Sequence, residues 1–236
     1  MGLPKSIGLL WRAAALALLV LVVTGIVVAG WAVWQARGTP DYWRLVPEDD
    51  PAIEAEAARF EDRLAATVTR VGPEDRPWRV EVEATDVNRW LATRLPQWRD
   101  NDPDIALPDW LEHPMIVTRP DQLIVAGEVR VGGGTKVFSA AYAPTVDGDG
   151  VVALALSRVR IGRLWLPAGE DVTGLLTDVA GLSEGRRKEL EGQLEEVRRV
   201  RLERDLGDGR VVTVHQLDLG KGGASAVCRT RGARRE

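Results

Sequence analysis

The feature that most constrains this chain is an uncharged apolar run near its start. Residues 13–34 contain no charged side chain and consist almost entirely of Ala, Leu, Val, Ile and Gly. A helix of this length spans about 33 Å, which matches the hydrocarbon thickness of a bilayer. Trp11 precedes the run, and Trp31 and Trp34 lie at its end, where indole rings commonly occupy the membrane interface. The run therefore predicts a transmembrane helix.

A cleaved signal peptide is the alternative interpretation of the same run. Lys5 and Arg12 form a basic front region, and residues 28–30 are small enough for a cleavage site. The run is longer than the roughly 7–15 apolar residues of a signal peptide core, and Trp31 follows the possible cut directly. We therefore expect an uncleaved anchor.

The orientation of the anchor depends on the basic residues that flank it. The terminal amine, Lys5 and Arg12 precede the run, and Arg37 and Arg44 nearly balance them on the other side. Cytoplasmic flanks usually carry the excess of Lys and Arg, and a short basic tail commonly stays inside while a long domain crosses. We therefore expect a single-pass protein with a cytoplasmic N-terminus and its domain outside.

Composition indicates one ordinary folded domain beyond the anchor. The chain is 45% hydrophobic, contains nine Trp, and carries a formal net charge of −4 with acids and bases interspersed. Nucleic-acid binding requires a clustered basic surface, so we exclude nucleic acid as a partner. Cys228 is the single cysteine and cannot form an internal disulfide.

The chain divides into five parts on this reasoning. Residues 38–51 contain three prolines and several acids, which is typical of a stalk, and the last residues are rich in Arg and Gly. We predict a cytoplasmic tail at 1–12, a transmembrane helix at 13–34, a stalk at 35–51, a folded domain at 52–219 and a disordered basic tail at 220–236.

The first half of the domain shows helical, then alternating, then helical spacing. Apolar residues at three- and four-residue steps predict a helix over 53–68. Alternation over 78–84 predicts a half-buried strand. Thr85 is a suitable N-cap for a second helix that ends at Pro96, on which we expect Asn88 to bond strand-end backbone rather than a ligand. Residues 96–120 are predicted as a loop.

The second half of the domain is predominantly strand. Apolar strands are predicted at 122–131, 137–146, 151–161 and 164–166, joined by glycine-rich turns that favour antiparallel hairpins. Helices are predicted at 170–179 and 183–199, and a last hairpin at 200–206 and 210–219. This order predicts an α+β domain in which helices pack on a mostly antiparallel curved sheet.

The sequence contains no constellation that selects a catalytic or metal site. His113 and His215 are the only imidazoles, and a zinc site normally needs three or four N or S ligands. We therefore expect no metal, no cofactor and no catalytic residue. The candidate contacts for an apolar ligand or a partner are three tryptophans: Trp98, Trp110 and Trp165.

Two segments carry a resemblance to known proteins. Residues 85–91 read Thr-Asp-Val-Asn-Arg-Trp-Leu after a strand, and residues 159–167 read Val-Arg-Ile-Gly-Arg-Leu-Trp-Leu-Pro. Together with the N-terminal span, they resemble the YpmS-like membrane-anchored proteins of bacterial envelopes and are similar to the LmeA-like envelope proteins, over residues 78–181. The resemblance implies a non-enzymatic domain that faces the envelope space and binds lipid along a curved sheet.

Three functions follow as hypotheses. The first is a membrane-anchored extracytoplasmic binding or scaffolding module that binds lipid without catalysis, with the bilayer itself as a partner. The second is an interaction module that recognises another envelope protein through the loop at 96–120. The third is a hydrolase, because a pair of acids suited to glycoside cleavage can be hidden among 35 carboxylates.

Overall fold

The structure, a computed structural model, describes residues 5–69, 76–101, 111–131, 134–147, 150–167, 185, 199–201, 203–205 and 209–232. Its helices are α1 (Lys5–Arg37), α2 (Pro51–Thr69), α3 (Ala84–Thr93) and α4 (Leu95–Asn101). Its strands are β1 (Trp78–Glu83), β2 (Leu111–Arg119), β3 (Gln122–Val131), β4 (Gly134–Val146), β5 (Val151–Ile161), β6 (Leu164–Pro167), β7 (Arg199–Arg201), β8 (Glu203–Asp205), β9 (Val211–Gly220) and β10 (Gly223–Arg231).

Helix α1 contains the apolar run. Among the described residues it is the one helix long and apolar enough to cross a membrane, and none of its apolar window, Leu19–Arg37, is buried against the rest of the chain. Large apolar side chains such as Leu21 and Ile26 are exposed. An exposed apolar helix needs an apolar solvent such as lipid, although a signal sequence shares the same length and composition.

The α+β class and the antiparallel pairing of the strands are confirmed. The strands form two antiparallel sheets rather than one, with the orders β1-β10-β9-β8 and β2-β3-β4-β5-β6. Strand β7 also pairs with β5 in the larger sheet. Strands β3 to β6 of the larger sheet are the predicted meander, in which each strand pairs with the next along the chain. Strand β2, which lies in the segment predicted as a loop, extends it. The smaller sheet is not local, since β10 lies between β1 and β9.

The core lies mainly on the larger sheet. Strand β4 is buried continuously through its middle, from Ser139 to Tyr142, which means that both faces of this central strand are covered. Val159 and Ile161 of β5 form a cluster with Ala36 of α1 and Phe138 of β4. The packing of Ala36 in this cluster places the end of α1 directly against the domain.

Helix α3 joins the two sheets through backbone groups. Its first residue, Ala84, donates its N–H to the carbonyl of Gly222 (2.9 Å). The residue at the N-cap is Glu83 rather than Thr85, so the predicted cap was wrong by two residues. Asn88 accepts the N–H of Ile116 (2.7 Å) and donates to the Ile116 carbonyl (2.8 Å). The structural role predicted for Asn88 is confirmed.

The segment predicted as a stalk, 35–51, packs against the larger sheet. Pro40 is among the most deeply buried residues of the chain. The hydroxyl of Tyr42 is hydrogen-bonded to Ser139 Oγ on β4 (2.6 Å). The prolines in this segment set an extended path over the sheet, and the aromatic side chains supply the buried area that a free stalk would lack.

The prediction of a disordered tail at 220–236 was wrong for Gly223–Arg231, which form β10. The basic residues obscured a strand pattern in which buried Cys228 and Thr230 alternate with Arg229 and Arg231. Cys228 and Thr230 are almost fully buried, and the Trp78 indole N–H donates to Thr230 Oγ1 (3.0 Å). The chain's last strand therefore completes the smaller sheet.

The loop predicted at 96–120 contains two regular elements, most of α4 and all of β2. Helix α3 ends at Thr93, and Pro96 lies in the first turn of α4, where a helix does not need the N–H that proline lacks. Trp110 lies outside the described residues, as do the helix predicted at 170–179 and nearly all of the one at 183–199.

Candidate membrane-proximal binding site

The turn between β5 and β6 is bonded to the last turn of α1. The carbonyl of Gln35 accepts the N–H groups of Gly38 (3.1 Å) and Arg163 (2.9 Å). Gly162 has a φ of +57°, and a β-carbon there would collide with the carbonyl oxygens of Ala36 and Gly38. Glycine is therefore required on both conformational and steric grounds, and it lets the sheet meet the anchor helix closely.

The side chain of Arg163 also links the β5–β6 turn to the segment that follows α1. Its Nε donates to the Thr39 carbonyl (2.9 Å), and one terminal nitrogen lies 3.2 Å from Asp41 Oδ1. The chain from Ala36 to Tyr42 thus wraps around the end of the β5–β6 hairpin, with Ala36 against one face of the sheet and Tyr42 against Ser139 on β4.

Trp165 lies beside this junction in contact with two arginines. It pairs across the strands with Arg160, whose guanidinium carbon is 4.4 Å from the indole centroid, and the guanidinium of Arg158 is 5.6 Å away. Arg158 and Arg160 are two residues apart on β5 and therefore point to the same face. Trp165 remains 37% exposed, so the face of this stack is open to solvent.

Tyr42 extends the stack on the other side of Arg160. The guanidinium carbon of Arg160 is 5.7 Å from the Tyr42 ring, and that of Arg119 is 5.9 Å from it. We call the set Arg119, Tyr42, Arg158, Arg160 and Trp165 the arginine–aromatic stack. Each cation–π contact stabilises a guanidinium by about 0.5–1 kcal/mol at an exposed site.

The arginines of the stack have no carboxylate partner in the described part of the chain. The Nε of Arg160 is buried without a hydrogen-bond partner there. A guanidinium presents five N–H donors in a planar fork that matches phosphate and carboxylate oxygens. The arrangement is therefore suited to binding an anion that the described protein itself does not supply.

Of the three predicted tryptophans, Trp98 and Trp165 are among the described residues, and they make different contacts. Trp165 belongs to the arginine–aromatic stack. Trp98 lies on α4, is 43% exposed, and packs edge-to-face against Trp90 with ring centroids 5.8 Å apart. No ring contact joins Trp98 to Trp165 among the residues described, and Trp110 is outside them. The sequence analysis missed Tyr42 because it lies in the segment predicted as a stalk.

A second concave region lies between α2 and the smaller sheet. This groove has a volume of about 830 Å³. Its apolar lining includes Phe60, Leu64 and Val82, but Arg63 and Asp86 also line it and form a 3.0 Å ion pair. Burying such charges under an acyl chain is costly, so the groove is not an apolar channel.

Two titratable groups of the smaller sheet have shifted pKa values. Burial raises the pKa of the Cys228 thiol, which keeps it protonated and unreactive. Burial, and then the positive charges of Arg229 and Arg231, lower the pKa of His215. Its imidazole is therefore neutral at pH 7. Both groups belong to the packing of the sheet.

A third cluster contains side chains of the types that bind metal ions. Glu112, His113 and Glu128 each offer one ligand atom within 4.8 Å of the others. The sequence analysis counted only nitrogen and sulfur ligands along the chain, so it did not consider that strand pairing could bring carboxylates from β2 and β3 to His113.

Comparison with known proteins adds no relationship to this geometry. The resemblance to the YpmS-like and LmeA-like proteins stays a prediction. No protein family, curated protein or solved structure was found that matches the chain.

Proposed function

We propose that this chain is a non-catalytic membrane-anchored binding module, with α1 as a single span, its N-terminus in the cytoplasm and its domain in the envelope space. The proposed ligand is the phosphate-bearing headgroup of an anionic lipid, bound by the arginine–aromatic stack. The observation that carries this proposal is a set of arginines that have no carboxylate partner among the described residues, at the end of the domain that is joined to α1.

Distance from the bilayer supports this assignment. The Gly162–Arg163 turn is bonded to Gln35, which follows the interfacial Trp34 directly. Arg160 and Trp165 are two residues from this turn, so at about 3.3 Å per residue they lie within roughly 10 Å of it whatever the tilt of the strands. The headgroup layer is roughly 5–8 Å thick on each side of the hydrocarbon. The stack is therefore within reach of the headgroups.

The chemistry of the stack also fits a headgroup better than an acyl chain. Guanidinium groups bind phosphate in a bidentate manner, and each Arg near an anionic surface contributes about 1 kcal/mol. A half-exposed indole such as Trp165 is stable at the boundary between water and lipid. The acyl chains of the lipid would stay in the bilayer. The domain would therefore not need the charged groove beside α2 to hold them.

The test uses the full-length protein in neutral detergent. Native mass spectrometry would count the molecules of phosphatidylglycerol and of phosphatidylcholine that are retained at equal concentration. The test variant is Arg158→Gln with Arg160→Gln. The matched control is Arg79→Gln with Arg99→Gln, which removes two exposed arginines from β1 and α4 and changes the net charge equally.

The wild-type protein should retain phosphatidylglycerol in preference to phosphatidylcholine. The Arg158/Arg160 variant should lose about tenfold to thirtyfold in apparent affinity, corresponding to two arginines at about 1 kcal/mol each, and the control should bind like the wild type. Equal retention of the two lipids, or equal losses in the two double variants, would contradict the proposal.

A further inference from the structure

Strands β2 and β3 bring together three residues whose side chains are common metal ligands. Glu112 and Glu128 are directly opposite in the register of the two strands, and His113 follows Glu112 at the β-bulge. One ligand atom of each residue lies within 4.8 Å of the other two. We propose that Glu112, His113 and Glu128 form a binding site for a divalent first-row metal ion such as Zn²⁺.

The opposed carboxylates are the first argument for a cation. Two acids directly opposite on one face of an antiparallel pair repel each other and destabilise the pairing. Glu112 and Glu128 are both partly buried, which limits the screening of this repulsion by water. A divalent ion between the two carboxylates would convert the repulsion into attraction.

The orientation of His113 is the second argument. Its Nδ1 lies 2.8 Å from Glu48 Oε1, and its Nε2 faces Glu128 Oε2 at 4.0 Å. A neutral imidazole that donates its Nδ1–H to a carboxylate leaves the Nε2 lone pair free for a metal, as in the carboxylate–histidine–metal arrangement. Glu48 would then orient the ligand, and Glu128 would complete the coordination on the other side.

The backbone at His113 is built for this orientation. His113 has a φ of +49°, a conformation that few residues other than glycine adopt. It lies where the register of β2 shifts between Glu112 and Met115, and such bulges re-aim side chains. The bulge turns the imidazole towards Glu48 and Glu128.

The dimensions and donor types indicate the class of ion. Ligands at about 2.0–2.2 Å from a tetrahedral ion lie roughly 3.4 Å apart, so the cluster needs a contraction of about 1.4 Å at most, which rotation of the carboxylates can supply. An imidazole with two carboxylates suits Zn²⁺ or Mn²⁺ better than Ca²⁺. A cavity of about 460 Å³ lies beside the cluster and is lined by Glu48, Glu112 and His113, together with Arg99.

Arg130 competes with the ion for Glu112. Its Nη2 lies 2.9 Å from Glu112 Oε1, and its side chain is 78% exposed. An ion pair this exposed is worth at most about 1 kcal/mol, so a divalent ion can displace the guanidinium. Removal of Arg130 should therefore tighten metal binding.

The test uses the full-length protein without a polyhistidine tag, stripped of metal by a chelator. Isothermal titration with Zn²⁺ should give one ion per chain. His113→Gln and Glu128→Gln should each weaken binding by at least tenfold, and Glu48→Gln by about tenfold to a hundredfold, as expected for a residue that orients a ligand. Arg130→Gln should increase the affinity.

Two controls separate this site from general effects. His215→Gln removes the other imidazole, and Glu81→Gln removes an exposed acid of β1, so both should bind Zn²⁺ like the wild type; circular dichroism checks that every variant is folded. Wild-type protein that binds no stoichiometric Zn²⁺, or His113→Gln that binds as tightly as the wild type, would overturn the site. Unchanged affinity in Arg130→Gln would overturn the participation of Glu112.

Discussion

At the scale of single residues, Asn88 shows how one side chain can take the place of a neighbouring strand. Strand β2 is an edge of the larger sheet, and the N–H and carbonyl of Ile116 point away from β3. The Asn88 amide bonds both groups, so the edge of β2 is closed by α3 at this point. An edge covered in this way is not open to pairing with other chains.

We predict that Asn88→Ala lowers the free energy of unfolding by about 1–3 kcal/mol, because it leaves two partly buried backbone groups without partners. The measurement is denaturant unfolding of the detergent-solubilised protein, followed by circular dichroism. Asn101→Ala is the matched control, since Asn101 is exposed and its side chain bonds only within α4 among the described residues. Equal stability of the two variants would show that the Asn88 amide does not hold α3 to β2.

Single residues also differ in how far their roles can be predicted from the sequence. Asn88 is a polar residue beside an apolar helical stripe, and that local pattern was sufficient to predict its role. Trp165 was predicted as a contact residue, but its arginine partners were not, and neither was Tyr42. Tyr42 reaches Arg160 only through the wrap around the β5–β6 hairpin, and no local spacing encodes a contact over such a separation.

At the scale of elements, the meander and the smaller sheet differ in how far they can be predicted. Strands β3 to β6 follow one another through short connections such as the turn at Gly162 and Arg163, and their alternation and glycines indicate antiparallel hairpins. The smaller sheet pairs β1 with β10, which lies at the other end of the chain. No local sequence pattern indicates a pairing between strands so far apart in the chain. The strand β10 was therefore mistaken for a basic tail.

We predict that a chain ending at residue 219 does not form the smaller sheet. The deletion removes β10, which lies between β1 and β9, and leaves the Trp78 indole without Thr230. The expected result is a loss of strand signal in circular dichroism and of the cooperative unfolding transition.

The matched control for this deletion ends at residue 232 and keeps β10 complete. This shorter truncation should fold and unfold like the full chain. Retention of cooperative unfolding by the chain ending at residue 219 would show that β10 is dispensable, and would restore the interpretation of the C-terminal residues as a tail.

At the scale of the whole molecule, the C-terminal end of α1 packs against the domain. The sequence predicts the apolar helix well, because a long uncharged run has few alternatives. It does not predict that the helix ends against the sheet, since prolines and acids are typical of a free linker. The contacts of Ala36, Pro40 and Tyr42 depend on the position of the β5–β6 turn, which only the assembled sheet defines.

We predict that Gly162→Val loosens this junction, because valine at a φ of +57° is strained and its β-carbon would collide with the carbonyls of Ala36 and Gly38. Limited trypsin digestion of the detergent-solubilised protein should then cleave after Arg37 and Arg44 at least tenfold faster than in the wild type, as measured by mass spectrometry of the fragments.

Gly134→Val is the matched control for the junction, because Gly134 lies at the start of β4 with open space where a β-carbon would be. It should be digested at the wild-type rate. Digestion of Gly162→Val at that same rate would mean that the turn does not hold the helix to the sheet.

The wrap from Ala36 to Tyr42 fixes the height at which the domain operates once α1 lies in a bilayer. A domain on a flexible linker can move and tilt relative to the membrane. Here the connecting segment is packed on the sheet, so it leaves no flexible linker for such movement. Molecules that reach it must arrive along the lipid surface or at its immediate edge. Lengthening the connection between Gly38 and Pro40 would therefore change what the domain can touch while leaving every residue of the arginine–aromatic stack in place.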